Sequence, residues 1–228
     1  MITVLSSMAV RRTLADLTER YRQEHGVEVS VLSIGGVEAA RRLRAGETFD
    51  LVFLPADVLA THEAEGAILA GSRRDFVRSA MALAVRAGAP KPKIEDEVDI
   101  KAVFFGARVI GYSTGPSGNH LVSVLKPWGL DPALNPDRFV QAKPGVPVAS
   151  LVANGEADIG VQQLSELLGE PGIEIVGLLP PPVQTITTFS VGIGAGSQQV
   201  TAARDLLDYL LAPTAEASKR RFGLEPID

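Results

Sequence analysis

Apolar and polar positions along this chain follow two rhythms. A short β-branched run, "ITVLS", opens it. From about Ala9 to His25, Leu14, Leu17 and Tyr21 recur at three- and four-residue spacing, with arginines and acids between them, which predicts an amphipathic helix. Gly26 stops that helix, and "VEVSVLSI" alternates as a strand. "GGVEAARRLRAGE" predicts a second helix ended by Gly46, "FDLVFLP" a fully apolar strand, and "DVLATHEAEGA" a short helix. Strand and helix in strict alternation, with short connections, predict a parallel sheet covered on both faces.

The alternation resumes in the middle of the chain. "AMALAVR" and "ARVIGYS" read as strands, followed by the turn "TGPSG" and a helix through Leu125. "RFVQAK" is strand-like, "VPVASLVANGEA" a helix with Pro147 near its first turn, and "DIGVQQ" a buried strand. After "GIEIVGLLP" and the prolines 180–182, "TITTFSVGIGA" alternates over a long run, and "QVTAARDLLDYLLAP" is strongly amphipathic. A shorter helix carrying Arg220 and Arg221 closes the chain. These last helices find a place if the strand near Thr187 to Ile193 returns the chain to the first lobe. The expected architecture is α/β, with mixed sheets and helices on both faces. One lobe takes residues 1–80 and 190–228, the other 81–189. A ligand is expected in the cleft between lobes, at strand carboxyl ends where helices begin.

Composition narrows the chemistry. A chain of 228 residues can bury a proper core as one large or two small domains. Its net charge of −5 favours neither a phosphate backbone nor an anionic membrane surface, so no nucleic-acid partner is expected. The basic clusters "RRLR" and "SRRDF" are interleaved with apolar positions and read as solvated faces. The chain has no cysteine, which excludes disulfides and thiolate chemistry. His25, His62 and His120 lie far apart, so neither a metal site nor a cofactor is expected. No apolar run has membrane-spanning length. The start "MITVLSSMAV" is already strand and turn. It fits either a cytoplasmic protein or a periplasmic one whose leader has been removed.

Three loops share one character. "LSSMAV", with Ser6 and Ser7 as candidate caps, "SIGGVE" and "STGPSGN" each follow a strand and open a helix. Each presents backbone N–H groups and the positive end of a helix dipole, which suits an anion. Capping alone also explains glycine and serine before a helix, but it does not require three such loops from both lobes. Gln162 and Gln163 end an otherwise apolar strand, where an amide is either satisfied by neighbouring loops or poised to bind. Enzyme motifs are thin. "GIGAGS" places Ser197 where a dinucleotide loop needs its third glycine, and there is no G-x-S-x-G elbow or Walker A sequence. His120 stands beside a candidate ligand loop, where a helix N-terminus would keep it neutral as a general base needs to be; a packed or surface first-turn residue is the other reading.

"ITVLSSMAVRRTLADLTERYRQEHGVEV" and "SIGGVEAARRLRAGETFDLVFLPAD" resemble the N-terminal lobe of the molybdate-binding proteins of ABC importers. "IGYSTGPSGNHLVSVLKPWGL", "VASLVANGEADIGVQQLSELL" and "AARDLLDYLLAPTAEASKRRFG" continue the resemblance in family order. It implies a type 2 periplasmic-binding-protein fold. "GVQQLSELL" and "VGLLPPPVQ" mark a branch that is also similar to aconitate isomerase. The family holds its oxyanion with serine hydroxyls in the first two loops and a tyrosine in the second lobe. Here those positions fall on Ala9, on Gly35 or Gly36, and on Gln163, while the family's backbone contacts fall on Ser117 and near Gly145. Each lost charge-assisted hydrogen bond removes about 1.5–3 kcal/mol from a small oxyanion. The resemblance therefore implies a binding set of Ser7, Met8, Ala9, Gly35, Gly36, Ser117, Gly118, Asn119, Gly145, Val146, Gln162 and Gln163. The set suits an organic polycarboxylate better than molybdate or tungstate. An isomerase would need donors for three carboxylates and one base, for which His120 is the candidate. A monomer is expected, partnered by an ABC permease if exported.

Overall fold

A computed structural model describes residues 1–227 and divides them into two compact units. Along the chain run β1 (Ile2–Ser7), α1 (Arg11–His25), β2 (Val29–Ile34), α2 (Gly36–Arg44), β3 (Leu51–Pro55) and α3 (Ala56–Ala64). Next come β4 (Arg74–Arg86), α4 (Glu97–Gly106), β5 (Ile110–Tyr112), α5 (Pro116–Leu125), β6 (Phe139–Gln141), α6 (Val148–Ala153), β7 (Ile159–Gln163) and α7 (Leu164–Leu167). The chain finishes with β8 (Ile173–Leu178), β9 (Ile186–Ile193), α8 (Val200–Leu211), α9 (Glu216–Arg221) and β10 (Glu225–Pro226). Among the described residues, unit 1 takes 1–79 and 187–227; unit 2 takes 80–186.

In unit 1 the strand order is β2-β1-β3-β9-β4, and β10 pairs with β4. β1 is parallel to β2 and β3, while β9 runs antiparallel to β3. Period-2 alternation sorts the side chains of these strands onto two faces. Ile2, Val4, Leu51 and Phe53 pack against Leu14 and Leu17 of α1 and Leu206 and Leu210 of α8. Leu5, Val52 and Leu54 face the other way, onto Ala39 and Leu43 of α2 and Leu59 of α3. β3 is apolar throughout because both of its faces are covered, as its sequence predicts.

Asp50 locks the entrance to β3. Its buried carboxylate accepts hydrogen bonds from the Thr3 N–H and hydroxyl at 2.8 and 2.9 Å and from the Ser197 hydroxyl at 2.6 Å. Burial pushes this carboxyl up, but those donors outweigh it and hold it below the ordinary aspartate value.

In unit 2, β4 lies between β8 and β7, both antiparallel to it, and β7-β5-β6 continue in parallel. Met81, Leu83, Ile110, Ile159 and Val161 meet Ile100 and Phe104 of α4 and Leu121 and Leu125 of α5. On the opposite face α6 comes close to the sheet because Gly111 and Gly160 lie side by side beneath it. A Cβ on Gly160 would stand 2.7 Å from a methyl of Val152 and 2.8 Å from one of Val148. No helix among the described residues is long and apolar enough to cross a membrane.

Candidate functional site

In each unit three parallel strands end at one edge, and each strand opens a helix there. In unit 1 the register places Ser7 of β1 beside Ile34 of β2, and Ser6 beside Phe53 of β3. β1 passes through a 3-10 turn, Met8–Val10, into α1; β2 passes through Gly35 into α2; Pro55 at the end of β3 leads directly into α3. In unit 2, Tyr112 of β5 lies beside Gln141 of β6 and Val161 of β7, and the chain beyond these strands opens α5, α6 and α7. The first four N–H groups of a helix have no intrahelical acceptor, so both edges collect donors and positive dipole ends.

The candidate residues fall on these edges, within their own units. In unit 1, Ser7, Met8 and Ala9 occupy the turn before α1, and Gly35 and Gly36 the start of α2. Neither Ser6 nor Ser7 caps α1, contrary to expectation: the N-cap is Val10, and no side chain bonds there. The Ser6 hydroxyl instead pairs with that of Ser33 at 2.7 Å, because the parallel register sets the two side by side. A Cβ added to Gly36 would meet nothing within 4 Å, so the fold does not demand glycine there, and the missing side chain leaves the backbone open.

In unit 2 the fold accounts for more of the chemistry. Ser117 is buried, with its hydroxyl 3.1 Å from that of Ser113, which in turn accepts the Gly115 N–H at 3.2 Å. Gly118 is required locally, since a Cβ there would collide with the Ser113 carbonyl oxygen. Asn119 is exposed, and its N–H is spent on the Gly115 carbonyl. The Val146 N–H closes a turn onto the Lys143 carbonyl at 2.9 Å, with Gly145 in the left-handed region at φ 81°.

Gln162 carries a role within unit 2 that its sequence left open. Its Oε1 accepts the Val148 N–H at 2.9 Å, so it caps α6 from a neighbouring strand, and its Nε2 donates to Glu166 Oε2 at 2.7 Å. Gln163 is buried at the carboxyl end of β7. His120, on α5, has its Nε2 3.0 Å from the Val183 carbonyl oxygen; donation to that oxygen leaves Nδ1 as the unprotonated nitrogen of the neutral ring. Among the described residues, no group of three or more His, Asp or Glu side chains is arranged to hold a metal ion.

Two contributors escaped sequence reasoning. The opening of α3, at Pro55 and Ala56, lacks the glycine or serine that drew attention to the other loops. Ser113 opens the loop "STGPSGN", but only the structure shows that its hydroxyl and carbonyl shape the α5 entrance.

Residues 2–225 match the family model of bacterial extracellular solute-binding proteins. The chain belongs to that family. This solute-binding protein is 36% identical to an aconitate isomerase of Pseudomonas sp. over 235 aligned residues, covering 99% of this chain and 88% of the relative. It is 24% identical to the molybdate-binding protein of Escherichia coli strain K12, covering 97% and 88% respectively. Among solved structures, the periplasmic molybdate-binding protein of Azotobacter vinelandii covers all of both chains with a TM-score of 0.83 at 20% identity. The solute-binding protein thus has the two-lobed fold of the periplasmic binders, as its sequence implies.

Proposed function

We propose that this solute-binding protein captures a small organic anion with several carboxylates, using donors from the helix-opening edges. The observation that carries the reading is the kind of donor those edges offer. Where the resemblance to molybdate binders expects side-chain hydroxyls, the chain has Ala9, Gly35 or Gly36, and Gln163, with open space beyond Gly36. Backbone N–H groups and helix dipoles remain, spread along the edges, and a spread of donors suits several carboxylates better than one compact tetrahedral ion. If exported, the protein delivers its ligand to an ABC permease. Isothermal titration against citrate, cis- and trans-aconitate, molybdate, tungstate and sulfate tests the reading. Heat of binding from a polycarboxylate supports it; saturable binding of a mineral oxyanion alone refutes it.

Kinship with an aconitate isomerase favours a second reading, isomerisation of aconitate between its cis and trans forms. That reaction moves a proton across an allylic system and needs one base. Nδ1 of His120 is the candidate, with Nε2–H held by the Val183 carbonyl. Incubation with trans-aconitate, followed by absorbance and product analysis, decides it. Turnover abolished by His120→Ala with folding intact supports the assignment; turnover unchanged by that substitution removes His120 from the chemistry.

A further inference from the structure

α4 keeps apolar side chains on its outer face. Val98 and Phe105 are 76% and 52% exposed, and Ala102, exposed between them, completes a run at i, i+4 and i+7. That spacing sets all three on one stripe of the helix. An open pocket of about 520 Å³ borders the stripe, lined by Ala89, Pro90, Pro92 and Ala102 among other residues, so the apolar surface continues past the helix. A contiguous apolar patch in water is a source of free energy that a partner recovers by covering it.

Charge is sorted along the same helix. Its amino-terminal end carries Glu95, Asp96, Glu97 and Asp99, with Lys93 paired to Glu95 at 3.2 Å and to Asp99 at 3.3 Å. Its carboxyl-terminal end meets two arginines. Arg138 donates to the carbonyl oxygens of Phe104, Phe105 and Ala107. The Arg108 side chain is 73% exposed and makes a long pairing with Asp158 at 3.4 Å. Lys101, in the middle, is held on its own chain by Glu97 at 2.6 Å and by the Trp128 ring, whose centre lies 4.6 Å from Nζ.

An acidic end, an apolar middle and a basic end make a pattern that a two-fold axis matches to itself. We propose that the outer face of α4 is a self-association surface, on which α4 of a second copy packs antiparallel across Ala102. Val98 lies four residues before Ala102 and Phe105 three after it, so with a uniform rise per residue each Val98 comes level with Phe105 of the other copy. Glu97 and Arg108 lie five and six residues from the same point, so the same alignment brings each carboxylate level with the other copy's guanidinium. Ala102 at the crossing lets the two helices approach closely, and their antiparallel dipoles attract. Specific interfaces bury at least about 1,200 Å² in total, and one helix face with a pocket rim is at the small end of that class. The dimer is therefore weak, with Kd of about micromolar order, in place of the monomer expected from the sequence.

Sedimentation velocity on the full chain, from about 1 to about 500 µM, tests the surface across the range where such a dimer forms. The wild type moves from monomer toward dimer as concentration rises. Phe105→Glu places a charge on the apolar stripe and weakens association at least about tenfold, with folding intact by circular dichroism. Arg108→Glu and Glu97→Arg each set like charges against one another and associate more weakly alone. In an equimolar mixture of those two variants both contacts regain opposite signs, and association recovers; a merely structural effect of either substitution would not be rescued by mixing. The mixture also keeps the test valid should Phe105→Glu fail to fold. A wild type that stays monomeric throughout overturns the proposal and leaves the face to a different partner. Folded Phe105→Glu that associates as the wild type does, or a mixture no stronger than its components, overturns it equally.

Discussion

Gln162→Glu converts the cap on α6 into a measurable titration. In the native protein the amide accepts the Val148 N–H at 2.9 Å and donates to the Glu166 carboxylate at 2.7 Å, and its residue is 3% exposed. The substitution is nearly isosteric. It keeps the acceptor for Val148 but replaces the donor facing Glu166 with a second carboxylate oxygen. At an effective dielectric of about 20, two unit charges at such a separation repel by about 6 kcal/mol. That is comparable to the whole stability of many domains, so the folded pair takes up a proton instead. The raised folded pKa belongs to the pair, while the unfolded carboxylates titrate near about 4.3. A folded pKa above the unfolded one gives stability that is fully present below the unfolded value and lost as pH rises through the folded one. In that window Gln162→Glu loses up to about 1.4 kcal/mol per pH unit relative to the wild type. Urea unfolding followed by circular dichroism between pH 4 and pH 8, values spanning that window (roughly the carboxylate range and above), measures the difference. The double variant Gln162→Glu with Glu166→Gln restores an amide opposite a carboxylate and recovers most of the loss. Parallel curves for Gln162→Glu and the wild type, or a double variant no better than the single one, would falsify the bridging role of Gln162.

Two further outcomes follow from packing. Lys219 of α9 is almost fully buried, with Nζ 4.5 Å from the centre of the Phe76 ring; burial lowers its pKa from 10.5 to about 8, against an opposing pull from Glu216. The depressed folded pKa means the charged form costs stability, so the wild type gains stability as pH rises from about 8 toward 10.5. Lys219→Met removes that dependence and raises stability at neutral pH by about 2 kcal/mol, a charging cost of about 3 less about 1 for the lost cation–π contact. Denaturant titration at pH 7 and pH 10 reads both effects, and a wild-type stability that is flat between them refutes the account. Gly118→Ala drives a methyl into the Ser113 carbonyl oxygen. It should cost about 1–3 kcal/mol and weaken anion binding by displacing the α5 entrance, while Gly36→Ala, with nothing within 4 Å, should leave stability within about 1 kcal/mol of the wild type.

Most strands and helices could be read from the chain because their signals are local. β3 announces itself by an unbroken apolar run, and α1 by Leu14, Leu17 and Tyr21 on one face. α4 leaves no periodic signal in the sequence because its apolar residues surround the whole helix: Ile100 and Phe104 are buried, while Val98 and Phe105 are exposed. The helix-opening loops stood out wherever glycine and serine marked them, and the α3 opening, marked by proline and alanine, did not. What no local pattern reveals is which polar groups the fold itself consumes. The Gln162 amide is bound to residues on two other elements, and the Ser6 hydroxyl to a neighbouring strand. Such partners depend on register and close approach, which arise only when distant segments meet.

The division of the chain has a consequence for biosynthesis. Unit 2 is one continuous stretch, residues 80–186, whereas unit 1 takes β9, α8 and α9 from chain made after it. On the ribosome the inserted unit is therefore complete while β3 still waits for the neighbour that pairs with it from Phe189 to Ile193. Until then the nascent chain carries an open strand edge and a bare apolar face where α8 will dock, and this interval is when chaperone protection matters most.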